Sequence, residues 1–224
     1  MKIKGLFLLI ILLLTFSVQS DTTVYGKLFI TLESQEINTG TELNTENNES
    51  RLGIKGNIEL KRELEVVYQA EYEVDPVDGT ADESNGSTFK QRNTFVGIKG
   101  SLGTLFLGTH DTAFKESQDK VDLFNDLTND IKNILEGENR LSELVGFKTP
   151  VFGNNFSATI NVIKEKDGLD DASSFSLRYK TRNIYAALAL DSKVEGYDSY
   201  RVSFQIPFNK AHLGLIFQTS KELN

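Results

Sequence analysis

The stretch Tyr200-Arg-Val-Ser-Phe-Gln-Ile-Pro-Phe208 decides the fold. Tyr200, Val202, Phe204, Ile206 and Phe208 alternate with Arg201, Ser203 and Gln205. In an extended chain successive side chains leave opposite faces, so a period of two sorts these residues into one apolar and one polar face. The same period recurs in Val66, Tyr68, Ala70 and Tyr72, in Phe156, Ala158, Ile160 and Val162, and in Phe175, Leu177 and Tyr179. The intervening residues include Glu65, Glu71, Glu73, Arg178 and Lys180, so the polar face meets water and the other meets something greasy.

The first twenty residues supply the context. Lys2 and Lys4 open a basic start, and Gly5–Phe16 is an apolar run too short to span a bilayer. Val18 and Ser20 are small residues suited to cleavage before Asp21, so residues 1–20 read as a signal peptide rather than a membrane anchor. Behind such a leader, alternating strands read as an all-β, antiparallel transmembrane barrel of an outer membrane. Removing Lys2 and Lys4 leaves 22 basic against 32 acidic residues, a net charge of −10, which argues against nucleic acid as a partner. The chain has no cysteine, which excludes disulfides, thiol chemistry and thiolate zinc sites.

About eleven strands follow: 23–33, 50–60, 63–74, 89–100, 104–109, 140–149, 154–164, 173–180, 184–191, 200–208 and 212–219. Tight connections at 61–62, 101–103, 150–153, 182–183 and 209–210 alternate with longer ones, including polar loops at 34–49 and 75–88. Short turns on one side and long loops on the other are expected of bacterial barrels, whereas a soluble β-sandwich has no reason to alternate them.

The connection from Asp111 to Asn139 stands apart, because a loop of that length is uncommon unless it is functional. Leu123, Leu127, Ile131 and Leu135 recur every fourth residue, which predicts a short amphipathic helix with Asp119, Asp122, Asp126 and Asp130 on its polar side. Such an apolar stripe has a purpose if the loop folds inward and packs on the barrel wall.

Five segments carry a family resemblance: Thr23-Val-Tyr-Gly-Lys27, Ser50-Arg-Leu-Gly-Ile-Lys-Gly56, Arg92-Asn-Thr-Phe-Val-Gly-Ile-Lys-Gly100, Gly103-Thr-Leu-Phe-Leu-Gly108 and Lys120-Val-Asp-Leu-Phe-Asn-Asp126. In this order, behind a signal peptide, they resemble the general Gram-negative porins over essentially the whole mature chain, a porin β-barrel domain from 21 to 224. The resemblance implies a homotrimeric, sixteen-stranded barrel in the outer membrane, in contact with its lipid and lipopolysaccharide. Through it small hydrophilic solutes and ions would diffuse passively, without a cofactor. It further implies a channel narrowed by the third external loop, whose acids Asp119, Asp122 and Asp126 face a basic wall of Lys27, Arg51, Arg92 and Arg140. The second strand agrees on independent grounds, since Leu52 and Ile54 share one face and leave Arg51 and Lys55 on the other.

The chain also departs from the family pattern. Leu123 stands where the loop motif usually has proline, and the end, Thr219-Ser-Lys-Glu-Leu-Asn224, lacks the usual terminal phenylalanine. Eleven strands are too few and odd in number, which implies an N-terminal fragment or the product of a truncated gene. Other readings are a non-conducting remnant, a structural or adhesive barrel, a calcium site on the loop aspartates, and a barrel hydrolase using His110 or His212. No Asp-x-Asp-x-Asp-Gly spacing and no G-x-S-x-G motif supports the last two.

Overall fold

A computed structural model describes residues 20–60, 63–164 and 171–223. The leader, apart from Ser20, and the tight connection expected at 61–62 therefore lie outside the described residues. Among the described residues there are thirteen strands: β1 (Ser20–Lys27), β2 (Ile30–Ile37), β3 (Gly40–Asn47), β4 (Arg51–Glu59), β5 (Glu65–Val74), β6 (Phe89–Gly100), β7 (Gly103–Asp111), β8 (Arg140–Lys148), β9 (Phe156–Ile163), β10 (Ala172–Lys180), β11 (Tyr185–Val194), β12 (Tyr197–Phe208) and β13 (Ala211–Glu222). Eleven of them form one antiparallel meander in the order β1-β4-β5-β6-β7-β8-β9-β10-β11-β12-β13, matching the eleven wall strands read from the sequence.

The other two correct that reading. Residues 30–47 form a separate β2–β3 hairpin, so the first strand stops at Lys27 and the polar loop expected at 34–49 is mostly paired. A second correction concerns β11 and β12, which run to Val194 and from Tyr197. The longer connection expected there is a two-residue turn, Glu195–Gly196, with φ of 50° and 82°. Positive φ at both positions is the backbone twist that a tight hairpin requires.

The apolar set of each strand faces outward. Leu52, Ile54, Val96, Ile98, Leu105, Leu107, Ile160, Val162, Leu188, Leu190 and Val202 are all exposed on the sheet's outer surface. The inner face is polar and small: Ser174, Ser176, Asn161, Thr159, Ser199 and Ser203 are buried beneath the long loop. An inner apolar cluster of Phe106, Leu144, Ile163, Ala172 and Val194 packs with Phe95 and Leu141 near the long-loop end.

Three register shifts re-aim inner residues. On β6, Ala70 pairs with Thr94 and Tyr72 with Gln91, so two residues, Arg92 and Asn93, oppose Glu71 alone. Strict alternation from the exposed Val96 would have sent Arg92 outward with Thr94. The bulge instead turns Arg92 and Asn93 inward together. An arginine on the lipid face near the bilayer centre costs about 2–4 kcal/mol. Comparable shifts occur on β8, between the partners of Gly108 and His110, and on β11, between Asp191 and Val194.

Candidate functional site

The long loop folds onto the inner face of the sheet, and its first turn is built into that face. Thr112 caps the short helix α1 (Ala113–Glu116) through a side chain that accepts from the Lys115 amide. The other free amides at this helix start are taken by the wall: Ala113 N donates to Asn161 Oδ1 at 2.6 Å and Phe114 N to Ser174 Oγ at 2.9 Å. Tyr185 donates to the Ser117 carbonyl at 2.7 Å. Phe114 is fully buried, with the Arg201 guanidinium 4.4 Å from its ring centre. Arg201 also reaches Glu138 Oε1 at 2.6 Å and the Glu136 carbonyl at 3.3 Å, so one side chain grips both ends of the loop.

The middle of the loop is not the amphipathic helix that its leucines predict. Only a single 3-10 turn, Ile131–Asn133, forms there. Asp122, Asp126 and Asp130 are buried, while Leu123 is exposed and Leu127, Ile131 and Leu135 are only half-buried. Asp122 and Asp130 are spent on the loop's own backbone. Asp122 accepts from the Phe124 amide at 2.8 Å, and Asp130 accepts from the amides of Lys132 and Asp126, each at 2.8 Å. Short acceptors that bind amides two residues on make turns and compete with helix. Asp119 and Asp126 themselves adopt left-handed backbone, with φ of 47° and 69°, a conformation Asp tolerates better than leucine would.

The residues singled out from the sequence are therefore distributed unequally. Asp126 Oδ2 meets Lys27 Nζ at 2.8 Å and an Arg51 terminal nitrogen at 3.0 Å, directly across the gap between loop and wall. Asp119 pairs elsewhere, with Lys180 at 2.6 Å, and Asp122 makes its contacts with loop amides. Arg92 contacts carboxylates of its own neighbourhood: Glu49, Glu71 at 2.8 Å and Glu73 at 3.6 Å. Arg140 lies at 3.0 Å from Asp111 and donates to Asn93 at 2.9 Å.

Several participants were not singled out in advance. Glu49, next to the β2–β3 hairpin, accepts from Lys132 of the loop at 2.6 Å. Burial pushes the Glu49 carboxyl up, but the Lys132 hydrogen bond and the Arg92 charge outweigh it and hold it below the usual carboxylate range. Burial likewise lowers Lys132, and Glu49 more than restores it, so its amine stays charged above the ordinary lysine range. Arg178 and Lys148 reach Glu116 at 3.1 and 3.6 Å. Their only sequence signal was an inward position in an alternating strand.

Between loop and sheet lies a polar cavity of about 360 Å³, lined by Arg51, Arg92, Arg140 and Arg178 of the wall and by Asp119, Asp126 and Lys132 of the loop. On its β1–β6 side, Lys27, Arg51, Arg92 and Lys132 face Glu49, Glu71, Glu73, Asp126 and Asp130, four cations against five carboxylates. His110 packs on Phe95 and Phe106 with its Nδ1 2.7 Å from the Asp111 carbonyl, and His212 is exposed on β13. No cluster of three or more His, Cys, Asp or Glu able to hold a metal occurs among the described residues.

A family model for Gram-negative porins matches residues 10–224. The chain belongs to that family. Its membership locates this porin in the outer membrane as a β-barrel, in a family of channels rather than enzymes. The major outer membrane protein P.IB of Neisseria sicca is 30% identical over 53% of this chain and 34% of its own length. The P.IB protein of a Neisseria meningitidis serogroup A strain is 25% identical over 80% of this chain and 56% of its own. The porin chain thus spans about half or less of these relatives' length. Among solved structures, the anion-selective porin from Comamonas acidovorans superposes with a TM-score of 0.74 at 20% identity, covering 90% of this chain and 68% of that one. OmpF of Salmonella typhi, solved with daunomycin, gives 0.69 at 15% identity, over 89% and 66%. At these identities the likeness concerns the fold.

Proposed function

We propose that the chain forms a water-filled channel for passive diffusion of ions and small hydrophilic solutes. The long loop would narrow it, with Asp126 facing Lys27 and Arg51 at the constriction. The observation that carries this reading is the double contact of Asp126 across a polar cavity roofed by the inward loop. Arg92 and Arg140 flank that contact, Asp119 guards the Lys180 side, and Asp122 braces the loop tip from within. Opposed charges across a narrow aqueous gap orient dipolar solutes and disfavour apolar ones. An adhesive or structural barrel would have no use for charge placed in this way. Export by a cleaved leader, residues 1–20, and assembly as a homotrimer in lipid and lipopolysaccharide belong to the same proposal.

The experiment is electrical. Protein extracted from outer membranes is inserted into planar bilayers across a salt gradient, and the reversal potential is compared with that of Arg51→Gln/Arg92→Gln. Losing two inward cations should shift permeability toward cations. An unmoved reversal potential in a conducting protein sinks the constriction assignment, and a folded protein that passes no current sinks the channel itself.

A further inference from the structure

The loop does more than present acid to a basic wall. Beside Asp126, which reaches the wall cations Lys27 and Arg51, it extends a cation of its own to a wall-side acid, Lys132 to Glu49 at 2.6 Å. The two bridges have opposite polarity and lie next to one another, because Glu49 also holds Arg92, and Arg51 approaches the same Glu49 oxygen at 4.0 Å. We infer that Lys132, bound to Glu49, is a selectivity-determining residue of this channel and the second point at which the loop tip is pinned to the β1–β6 wall. The inference rests on the channel reading.

Three observations support it. First, Lys132 is held in place by its backbone, since its amide donates to Asp130 Oδ1, and Asp130 in turn accepts from the amide of Asp126. One buried carboxylate therefore sets the positions of both bridging residues. Second, the Lys132 side chain is 40% exposed and lines the cavity, so its charge acts on whatever passes there. Third, Lys27, Arg51, Arg92 and Lys132 on this side already face five carboxylates, Glu49, Glu71, Glu73, Asp126 and Asp130, so losing Lys132 deepens a local acidic excess. A narrow polar passage transmits that imbalance to permeating ions.

The test compares Lys132→Gln, Lys132→Arg and Glu49→Gln with the unmodified protein in planar bilayers under a salt gradient. Lys132→Gln should raise the cation-to-anion permeability ratio by about twofold, the scale of one partly screened charge beside an aqueous passage. Lys132→Arg should restore the original ratio, and Glu49→Gln should move it the opposite way. A ratio unchanged by Lys132→Gln in a protein that conducts overturns the inference and leaves the channel reading standing. A second measurement needs no current. The chain has no native cysteine, so Glu49→Cys/Lys132→Cys can be treated with a short bis-maleimide in outer membranes and read on a denaturing gel. An internal cross-link is the expected result, since Asp126 still holds the tip to Lys27 and Arg51; its absence, with both thiols reactive singly and the Asp126 contacts intact, shows that the two positions do not face one another and overturns the pairing.

Discussion

The two halves of the long loop are held in opposite ways. Residues 112–118 are anchored mostly by neutral hydrogen bonds from backbone amides and carbonyls to Asn161, Ser174 and Tyr185, around a buried phenylalanine. Residues 122–134 are held by their own aspartates and by ion pairs that water can reach. Anchors of the first kind exclude water and tolerate little change. Ion pairs at a partly exposed surface are each worth about 0.2–1 kcal/mol and weaken with salt. The loop therefore combines a fixed root with a tip whose charges can be altered without unseating it, a division suited to tuning a channel over a constant frame.

The strongest way to break that division is at the root. Arg201 is fully buried against Phe114 and joins the loop's first helix to Glu138 near its end. Arg201→Met leaves the Glu138 carboxylate buried without its partner, an imbalance that costs about 3–5 kcal/mol. The expected result is a detached loop, seen as rapid proteolysis between residues 112 and 139 in folded protein and as a larger single-channel conductance. Adding Glu138→Gln should recover part of the loss. Equal protease resistance in Arg201→Met and the parent would show that the root does not depend on this residue.

How much of this was legible in the sequence depends on whether one period had one explanation. The eleven wall strands were, because Val202, Ile160 and Leu177 had to share a face that Arg201, Asn161 and Arg178 could not. The β2–β3 hairpin was not, since Glu33, Glu36, Glu42 and Glu46 mix with Leu32 and Leu43 and neither face reads as buried. In the loop, leucines and aspartates share a spacing of four, so periodicity could not say which set goes inside. The capping chemistry of Asp122 and Asp130 decided it, with Leu123 left exposed and Leu127, Ile131 and Leu135 half-buried. Asp126 contacts Lys27 and Arg51, whereas Asp119 pairs with Lys180 and Asp122 with loop amides, a division that no spacing in the sequence marks. Arg92 needed a bulge that no composition signals. Glu49 and Lys132 could be paired only by knowing where the loop tip lands.

A milder perturbation of the root tests packing without charge. Gly137 has φ of 89°, and a Cβ built there would lie 2.5 Å from Phe114 Cε1 and 2.7 Å from Cδ1. Gly137→Ala therefore meets both an unfavourable backbone conformation and a ring that Arg201 keeps from moving. Strain of this kind costs about 1–3 kcal/mol. The expected readout is a lower unfolding temperature in detergent with ion selectivity unchanged, because the charges at the tip stay where they are. A shift in selectivity without loss of stability would mean that root and tip are coupled more tightly than their contacts indicate.

The smallest expected effect concerns acid. Glu49 has its folded pKa held below its unfolded value, so the stability it contributes is complete above the unfolded value of about 4.3 and is lost only as pH falls through the folded one. Lys132 is shifted the other way, so its share is complete below about 10.4 and is lost as pH rises through its folded value. Between those limits the Lys132–Glu49 bridge keeps both charges, and selectivity should be flat from about pH 5 to pH 9 so far as this pair sets it. Glu49→Gln removes the acid limb of that window. Reversal potentials of the parent and Glu49→Gln, measured from neutral pH downward, should then differ by a constant amount until the parent's Glu49 protonates, and converge below it. Convergence already at pH 5 would mean that Lys132 and Arg92 do not hold Glu49 in its charged form.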